Sequence, residues 1–262
     1  MAVDLHKSSE KAGIQLKKQG VDVSRLPNMR VGVCLDISGS MSEEYRDGHV
    51  QDALTHLLAL GMHMDKSAKV DVFIFNNGAK QMPEPATLQN YSGYVDRYVS
   101  DHVGGGTDYS PVIHLAYQHY YPTLDHLHSA ASAARHVASL AHHGHGLLGS
   151  LFGHHKHDEP PAVPVAVNPS DHDPVFMLFL TDGDNENYDK EPTRHAIHAA
   201  TGLPLFWSFV GLAHNSRFLE ELSRETDAEF VHLEDGVRIS DDDLYRQLIS
   251  AKLGSWLRNL HT

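Results

Sequence analysis

Four nearly continuous apolar runs, residues 31–35, 70–75, 175–180 and 205–212, are separated by segments of helical period, and that alternation restricts the chain to few architectures. A strand with one wet face alternates polar and apolar side chains. A run that is apolar at every position has to be covered on both faces, as in a parallel sheet flanked by helices. A shorter run, Phe230 to Leu233, is a fifth candidate strand. Between the runs, Val50, Leu54, Leu57, Leu58 and Gly61 share one face of a helix predicted over 49–66. A second helix is expected around Tyr109 to Tyr120, and Phe218, Leu219 and Leu222 form a stripe after Ser216. Ser240 followed by Asp241, Asp242 and Asp243 is a good helix start, with a hydroxyl cap and carboxylates at the positive dipole end. Leu253, Trp256, Leu257 and Leu260 continue the stripe, predicting one long C-terminal helix that closes a face of the sheet. The expected fold is α/β: a doubly wound, mostly parallel central sheet with helices on both faces, Rossmann-like in its winding. Residues 78–85 are expected to hold a turn and a short edge strand, with Pro83 and Pro85 limiting its pairing.

A chain of 262 residues with 41% hydrophobic content can bury a real core, and one domain with an insertion is expected. Residues 1–29 form an N-terminal extension and 30–262 the main domain, interrupted by a His-rich insertion at 122–173. That insertion begins alanine-rich over 124–141, a potential helix, and continues through HHGHG, LLGSLFG and HHKHDEPP. It is too rich in Gly, Pro and polar residues to bury much, so partial or conditional order is expected. The N-terminus lacks the apolar stretch of a secretory signal, and no run approaches the roughly 18 apolar residues of a membrane span. A soluble, cytoplasmic protein is expected. The single cysteine, Cys34, lies inside the first run and reads as a buried structural thiol. A formal net charge of −13 opposes a phosphate-tracking surface and, with it, nucleic acid as the main partner. Because free imidazole titrates near about 6.5, the 22 histidines should reverse the sign of that charge in mild acid.

The chemistry gathers at strand ends. Asp36-Ile37-Ser38-Gly39-Ser40 follows the first run, and Thr181-Asp182-Gly183 follows the run at 175–180. Gly104-Gly105-Gly106-Thr107 lies between them in sequence. In an open parallel sheet, ligands bind beyond the carboxyl ends of the strands, at the point where strand order reverses. The hydroxyls of Ser38 and Ser40, two residues apart, can point the same way from a turning loop, and Thr107 adds a third. Three neutral oxygens and two carboxylates are hard ligands, suited to Mg²⁺, Mn²⁺ or Ca²⁺ rather than to Zn²⁺. Asp184, Asn185 and Glu186 either shape the rim of this site or form a solvated loop.

In order, spacing and placement, Asp36-x-Ser38-x-Ser40, Thr107 and Asp182 resemble the metal-ion-dependent adhesion site of von Willebrand factor A (vWA) domains. The likeness spans about 30–121 and 174–260. The stretch Lys17 to Val23, RVGVCLDISGSM, and VDVFIFNN followed by YSGYVDRYV are similar to bacterial cytoplasmic vWA proteins of tellurium-resistance and stress-response operons. The resemblance implies that Ser38, Ser40 and Thr107 coordinate the metal, Thr107 directly or through water, while Asp36 and Asp182 hold coordinated waters. It further implies a protein partner that supplies an Asp or Glu to the cation, and no catalysis.

Two other readings compete. A phosphohydrolase would use Asp36 as nucleophile beside Mg²⁺. However, position 38 is Ser where a second carboxylate is wanted, no lysine lies close by in the motif loops, and GxxxxGK[ST] and GxSxG are both absent. Alternatively, the nine histidines from His126 to His157 bind Zn²⁺, Ni²⁺ or Cu²⁺, or simply belong to a solvated insertion. Isolated helical histidines such as His56, His63, His195 and His198 read as surface or satisfied core residues.

Overall fold

The computed structural model describes residues 3–124, 172–212, 215–234 and 239–260. Its strands are β1 (Arg30–Asp36), β2 (Lys69–Phe75), β3 (Ala79–Gln81), β4 (Ala86–Thr87), β5 (Val175–Thr181), β6 (Leu205–Leu212) and β7 (Glu229–Leu233). The helices are α1 (Leu5–Lys18), α2 (Ser42–Arg46), α3 (His49–Gly61), α4 (Tyr94–Tyr98), α5 (Ser110–Tyr120), α6 (Lys190–Ala199), α7 (Arg217–Glu225), α8 (Asp241–Leu248) and α9 (Ala251–Asn259).

The sheet runs β3-β2-β1-β5-β6-β7, parallel throughout except for β3, which pairs antiparallel with β2 at one edge. The short β4, which sequence patterning did not suggest, also pairs antiparallel with β2. Alternation along the central strands divides the core in two. Val31, Val33 and Leu35 of β1 and Phe176, Leu178 and Leu180 of β5 face a layer built from α1, α3, α8 and α9. Cys34, Val175, Met177 and Phe179 face a layer built from α5, α6 and α7. Each strand is thus buried on both faces, which is why its sequence is apolar at nearly every position. Cys34 is a free, fully buried thiol, and burial pushes its pKa well up.

The first layer contains the N-terminal segment. Leu5, Ala12 and Leu16 of α1 join the same cluster as Leu54 and Leu58 of α3 and Leu244 and Leu248 of α8. A buried ring of hydrogen bonds ties these three helices, and its proton order can be deduced. Tyr245 Oη donates to the His56 carbonyl at 3.0 Å. Having spent its proton there, the phenol accepts from Ser8 Oγ at 2.7 Å. Ser8 in turn has to accept, so His56 carries its proton on Nδ1, 2.8 Å away. Burial lowers the His56 pKa, against the charges of Asp241 and Asp52.

Two helices differ from expectation. The predicted helix over 49–66 ends at Gly61, where Met64 and Asp65 turn back to bond its carbonyl at 2.9 and 2.8 Å. The long C-terminal helix is in fact two, broken at Ile249 and Ser250. Ser250 is extended (φ −69, ψ 169) and caps α9 by accepting from Leu253 N at 3.0 Å, while the freed Ile249 carbonyl accepts from Gln19 Nε2 at 3.1 Å. The apolar stripe carries on across the break because both helices face the same core cluster.

Candidate metal centre

The chain leaves β1 toward β2 on one side and later returns to place β5 on the other, so the strand order reverses between β1 and β5. Loops diverge there and open a crevice at the carboxyl ends. Asp36 is the last residue of β1, and Asp182 directly follows β5.

Asp36 is fully buried and both its oxygens are engaged. Oδ1 accepts from the Ser38 amide at 2.7 Å, and Oδ2 accepts from the Thr181 hydroxyl at 2.6 Å. From there a string of hydroxyls leads outward: Ser38 Oγ lies 3.1 Å from Ser40 Oγ, and Ser40 donates to Asp182 Oδ1 at 3.0 Å. Ser38 and Asp182 are buried while Ser40, between them, is exposed, so the string meets solvent at Ser40. Tyr45 Oη secures the Asp36 carbonyl at 2.9 Å. Burial raises the Asp36 carboxyl to about 6; the nearby Asp182 charge adds to the rise, and the bonds from Ser38 and Thr181 oppose it.

Thr107 reaches this site through its loop. The Gly104 amide donates to the Ile37 carbonyl at 2.6 Å, and the Gly39 amide donates to the Gly105 carbonyl at 3.0 Å, so the glycine run lies directly along the 37–39 turn. Asn76 Nδ2 holds the Gly104 carbonyl at 2.7 Å, and Asn77 Oδ1 accepts from the Gly106 amide at 2.6 Å. Gly105 has φ +91, and a Cβ there would stand 3.1 Å from Asn76 Nδ2, so both conformation and space call for glycine. Thr107 itself is half-buried, and its carbonyl accepts from the Glu186 amide at 2.9 Å.

That last bond belongs to a seam between residues 107–110 and 183–189. At its centre, the buried Asp189 carboxylate caps α5 by accepting from the amides of Tyr109 and Ser110 and from the Ser110 hydroxyl. It also accepts from Asn185 Nδ2 at 2.7 Å and Thr193 Oγ1 at 3.0 Å. Tyr109 Oη bonds the Gly183 carbonyl, and Tyr188 Oη donates to Asp108 Oδ2 at 2.9 Å. The loops carrying Thr107 and Asp182 are therefore one hydrogen-bonded unit.

Of the residues read from sequence, Asp36, Ser38, Ser40 and Asp182 form a continuous hydrogen-bonded string, and Thr107 lies on a loop pinned against it. Sequence reasoning missed Thr181, Tyr45, Asn76, Asn77 and Asp189. Thr181 stood within the Thr181-Asp182-Gly183 motif but carried no assigned role, Tyr45 bonds Asp36 from nine residues away without any motif to mark it, and Asn76, Asn77 and Asp189 hold the 104–110 loop from 28 or more residues away. The histidine tract lies outside the described residues. The donor set fits a hard cation. It consists of oxygens alone, and it places two carboxylates close enough for the charge on one to raise the pKa of the other, an arrangement that a cation would offset. Among the described residues there is no cluster of three or more His, Cys, Asp or Glu side chains arranged for a metal, and no helix is long and apolar enough to cross a membrane.

Comparison with known proteins bears on the family and the fold. The family model described as the vWA domain found in the TerF C terminus matches residues 28–128 and 152–262. The uncharacterized protein YcbR of Bacillus subtilis (strain 168) is 30% identical over 268 residues, covering 98% of this chain and 86% of YcbR. Among solved structures, the N-terminal domain of TFIIH p34 aligns with a TM-score of 0.51 at 13% identity, covering 87% of this chain and 99% of that one. Proximal thread matrix protein 1 of the mussel byssus aligns at 0.50 and 12%, covering 86% and 47%. A von Willebrand factor type A protein from Catenulispora acidiphila aligns at 0.48 and 16%, covering 84% and 41%. The chain thus spans less than half the length of the latter two. At such identities the likeness to TFIIH p34 and to the byssus protein concerns the fold alone.

Proposed function

The chain belongs to the family of vWA domains found in the TerF C terminus, and from that premise we propose that it is a cation-dependent protein-interaction module. Ser38, Ser40 and Thr107 would hold Mg²⁺, with Mn²⁺ or Ca²⁺ as substitutes, and Asp36 and Asp182 would act through water. A partner's Asp or Glu would complete the coordination. The observation that carries this reading is the string Asp36, Ser38, Ser40, Asp182 at the strand-order reversal, which links two buried carboxylates through hydroxyls and meets solvent at Ser40. A cation whose carboxylates stay one layer back is under-neutralised and retains affinity for an anionic ligand.

Catalysis by Asp36 is disfavoured. A nucleophilic carboxylate needs a free oxygen and access to substrate, whereas Asp36 is 0% exposed with both oxygens engaged. We assign the module to the cytoplasm and to a tellurium-resistance or stress-response system, on the sequence resemblance. Affinity capture from bacterial extract, using the full chain with Mg²⁺, tests the reading. The partner should be retained by the wild type and lost both with chelator and from Thr107→Ala. Retention under saturating chelator would overturn it.

A further inference from the structure

The two edges of the sheet are unlike. β3, at one end, is three residues long, exposed over Ala79 and Lys80, and soon followed by Pro83 and Pro85. A short strand with a central lysine resists pairing with another chain. β7, at the other end, runs five residues without lysine or proline, Glu229-Phe230-Val231-His232-Leu233, and pairs with β6 on its inner side. In a parallel strand, alternate residues turn both N–H and C=O to the same side, so part of the β7 backbone is directed away from β6.

Space for a further strand lies beside it. A cavity of about 590 Å³ is lined by Phe230 and His232 of β7, by Ser223 and Arg224 of α7, and by Ile239 and Gln247 on the α8 side. It therefore follows the edge between the two helical layers. Phe230 packs against the layer of α5, α6 and α7 and Val231 against the opposite one, yet Phe230, Val231 and His232 are only half-buried. Their uncovered flanks offer an added strand apolar contact on both of its faces. The surrounding elements set the charge of the occupant: residues 215–247 carry ten carboxylates against four arginines and no lysine.

We propose that the β7 edge takes up an extended, proline-free segment of a partner protein as an added strand, with apolar side chains at successive positions and lysine or arginine at its ends. Main-chain hydrogen bonds supply the affinity, and alternate side chains, set against α7 on one face and α8 on the other, supply the selectivity. Proline is excluded because its missing N–H removes a ladder bond. Basic ends answer the surplus of carboxylates. The residues lining the cavity are distinct from Asp36, Ser38, Ser40, Thr107 and Asp182, so this binding needs no cation.

A displayed library of random peptides, panned on the full chain in the presence of chelator, tests the proposal with the cation site silent. Selected peptides should carry an apolar run free of proline and flanked by Lys or Arg. N-methylation of a selected peptide should abolish binding at alternate residues and spare it at those between, since only every second amide faces β7. Gln247→Trp, at an exposed position on the cavity wall, should weaken the same peptide by about tenfold or more, while Mn²⁺ affinity, read without peptide, stays at the wild-type value. Pools without such a run, or N-methyl effects without alternation, would overturn the proposal, as would a peptide indifferent to Gln247→Trp. Self-association of the free chain that Gln247→Trp disperses would assign the edge to a second copy and overturn it as well.

Discussion

Ser40 donates to Asp182 Oδ1 at 3.0 Å across 142 residues of chain, joining the turn after β1 to the turn after β5. No element at that point is long enough to bring them together by itself. The contact follows from the register of β1 on β5, in which Leu35 lies beside Leu180, so that Asp36 and the residues after Leu180 emerge side by side.

Removing a carboxylate from this string should abolish tight cation binding without unfolding the chain, since Asp182 lies in the turn beyond β5 and Asp36 is the terminal residue of β1. Asp182→Ala is expected to weaken Mn²⁺ by at least about tenfold, measured by calorimetry, with far-ultraviolet dichroism unchanged. Wild-type affinity in Asp36→Ala, Ser38→Ala and Asp182→Ala alike would remove the metal assignment.

Gly105 should tolerate no side chain. Its φ of +91 and the 3.1 Å approach to Asn76 imply that Gly105→Ala costs ~1–3 kcal/mol of strain, or displaces the loop. Either outcome lowers Mn²⁺ affinity; Gly78→Ala, where a Cβ meets nothing within 4 Å, serves as the control.

Opening the ring at α1, α3 and α8 should be costly. Ser8→Ala leaves His56 Nδ1 without its acceptor and Tyr245 without its donor in a buried setting, an expected loss of ~1–3 kcal/mol in urea unfolding. A loss within a few tenths of zero would show that water or a shifted side chain replaces the hydroxyl.

Glu229 should impose a pH dependence of its own. Burial lifts its carboxyl above the ordinary 4.5, against bonds from Ser250 and Ser208 and the Lys252 charge. The fold therefore binds this proton more tightly than the unfolded chain does. The resulting stabilisation is full below about 4.5 and is lost as pH rises through the higher folded value. Glu229→Gln lacks that loss, so its urea midpoint relative to wild type should increase between about pH 4.5 and about pH 7. A difference that stays constant across the range would contradict the shift.

Much of this was legible in the sequence for an identifiable reason. The strands β1, β2, β5 and β6 are buried on both faces or nearly so, and their apolar runs announce them; β7, at the sheet edge and only half-buried over its three central residues, gave the shorter and weaker run. The break at Ile249 and Ser250 was hidden because both short helices present leucines to one cluster, and only the capping Ser250 marked the boundary. At the site, the serines and Asp182 were readable from spacing and strand position. Thr181 was not, since its value lies in a bond to Asp36, 145 residues away. Asp189 was similarly invisible: it caps a helix that begins some 79 residues earlier, a relationship that exists only once β5 lies beside β1.

Parallel strands also give the sheet two unlike poles. α5 leads from the Thr107 end over about 16 Å of helix to Tyr121, whose ring meets that of His172 at 5.2 Å, and β5 then starts opposite Arg30. The chain between positions 124 and 172 thus departs and returns at the pole opposite Asp36 and Asp182. The two points of attachment, at 124 and 172, therefore lie away from the face where a partner would dock, and a short tether joining them directly would start and finish at that far pole.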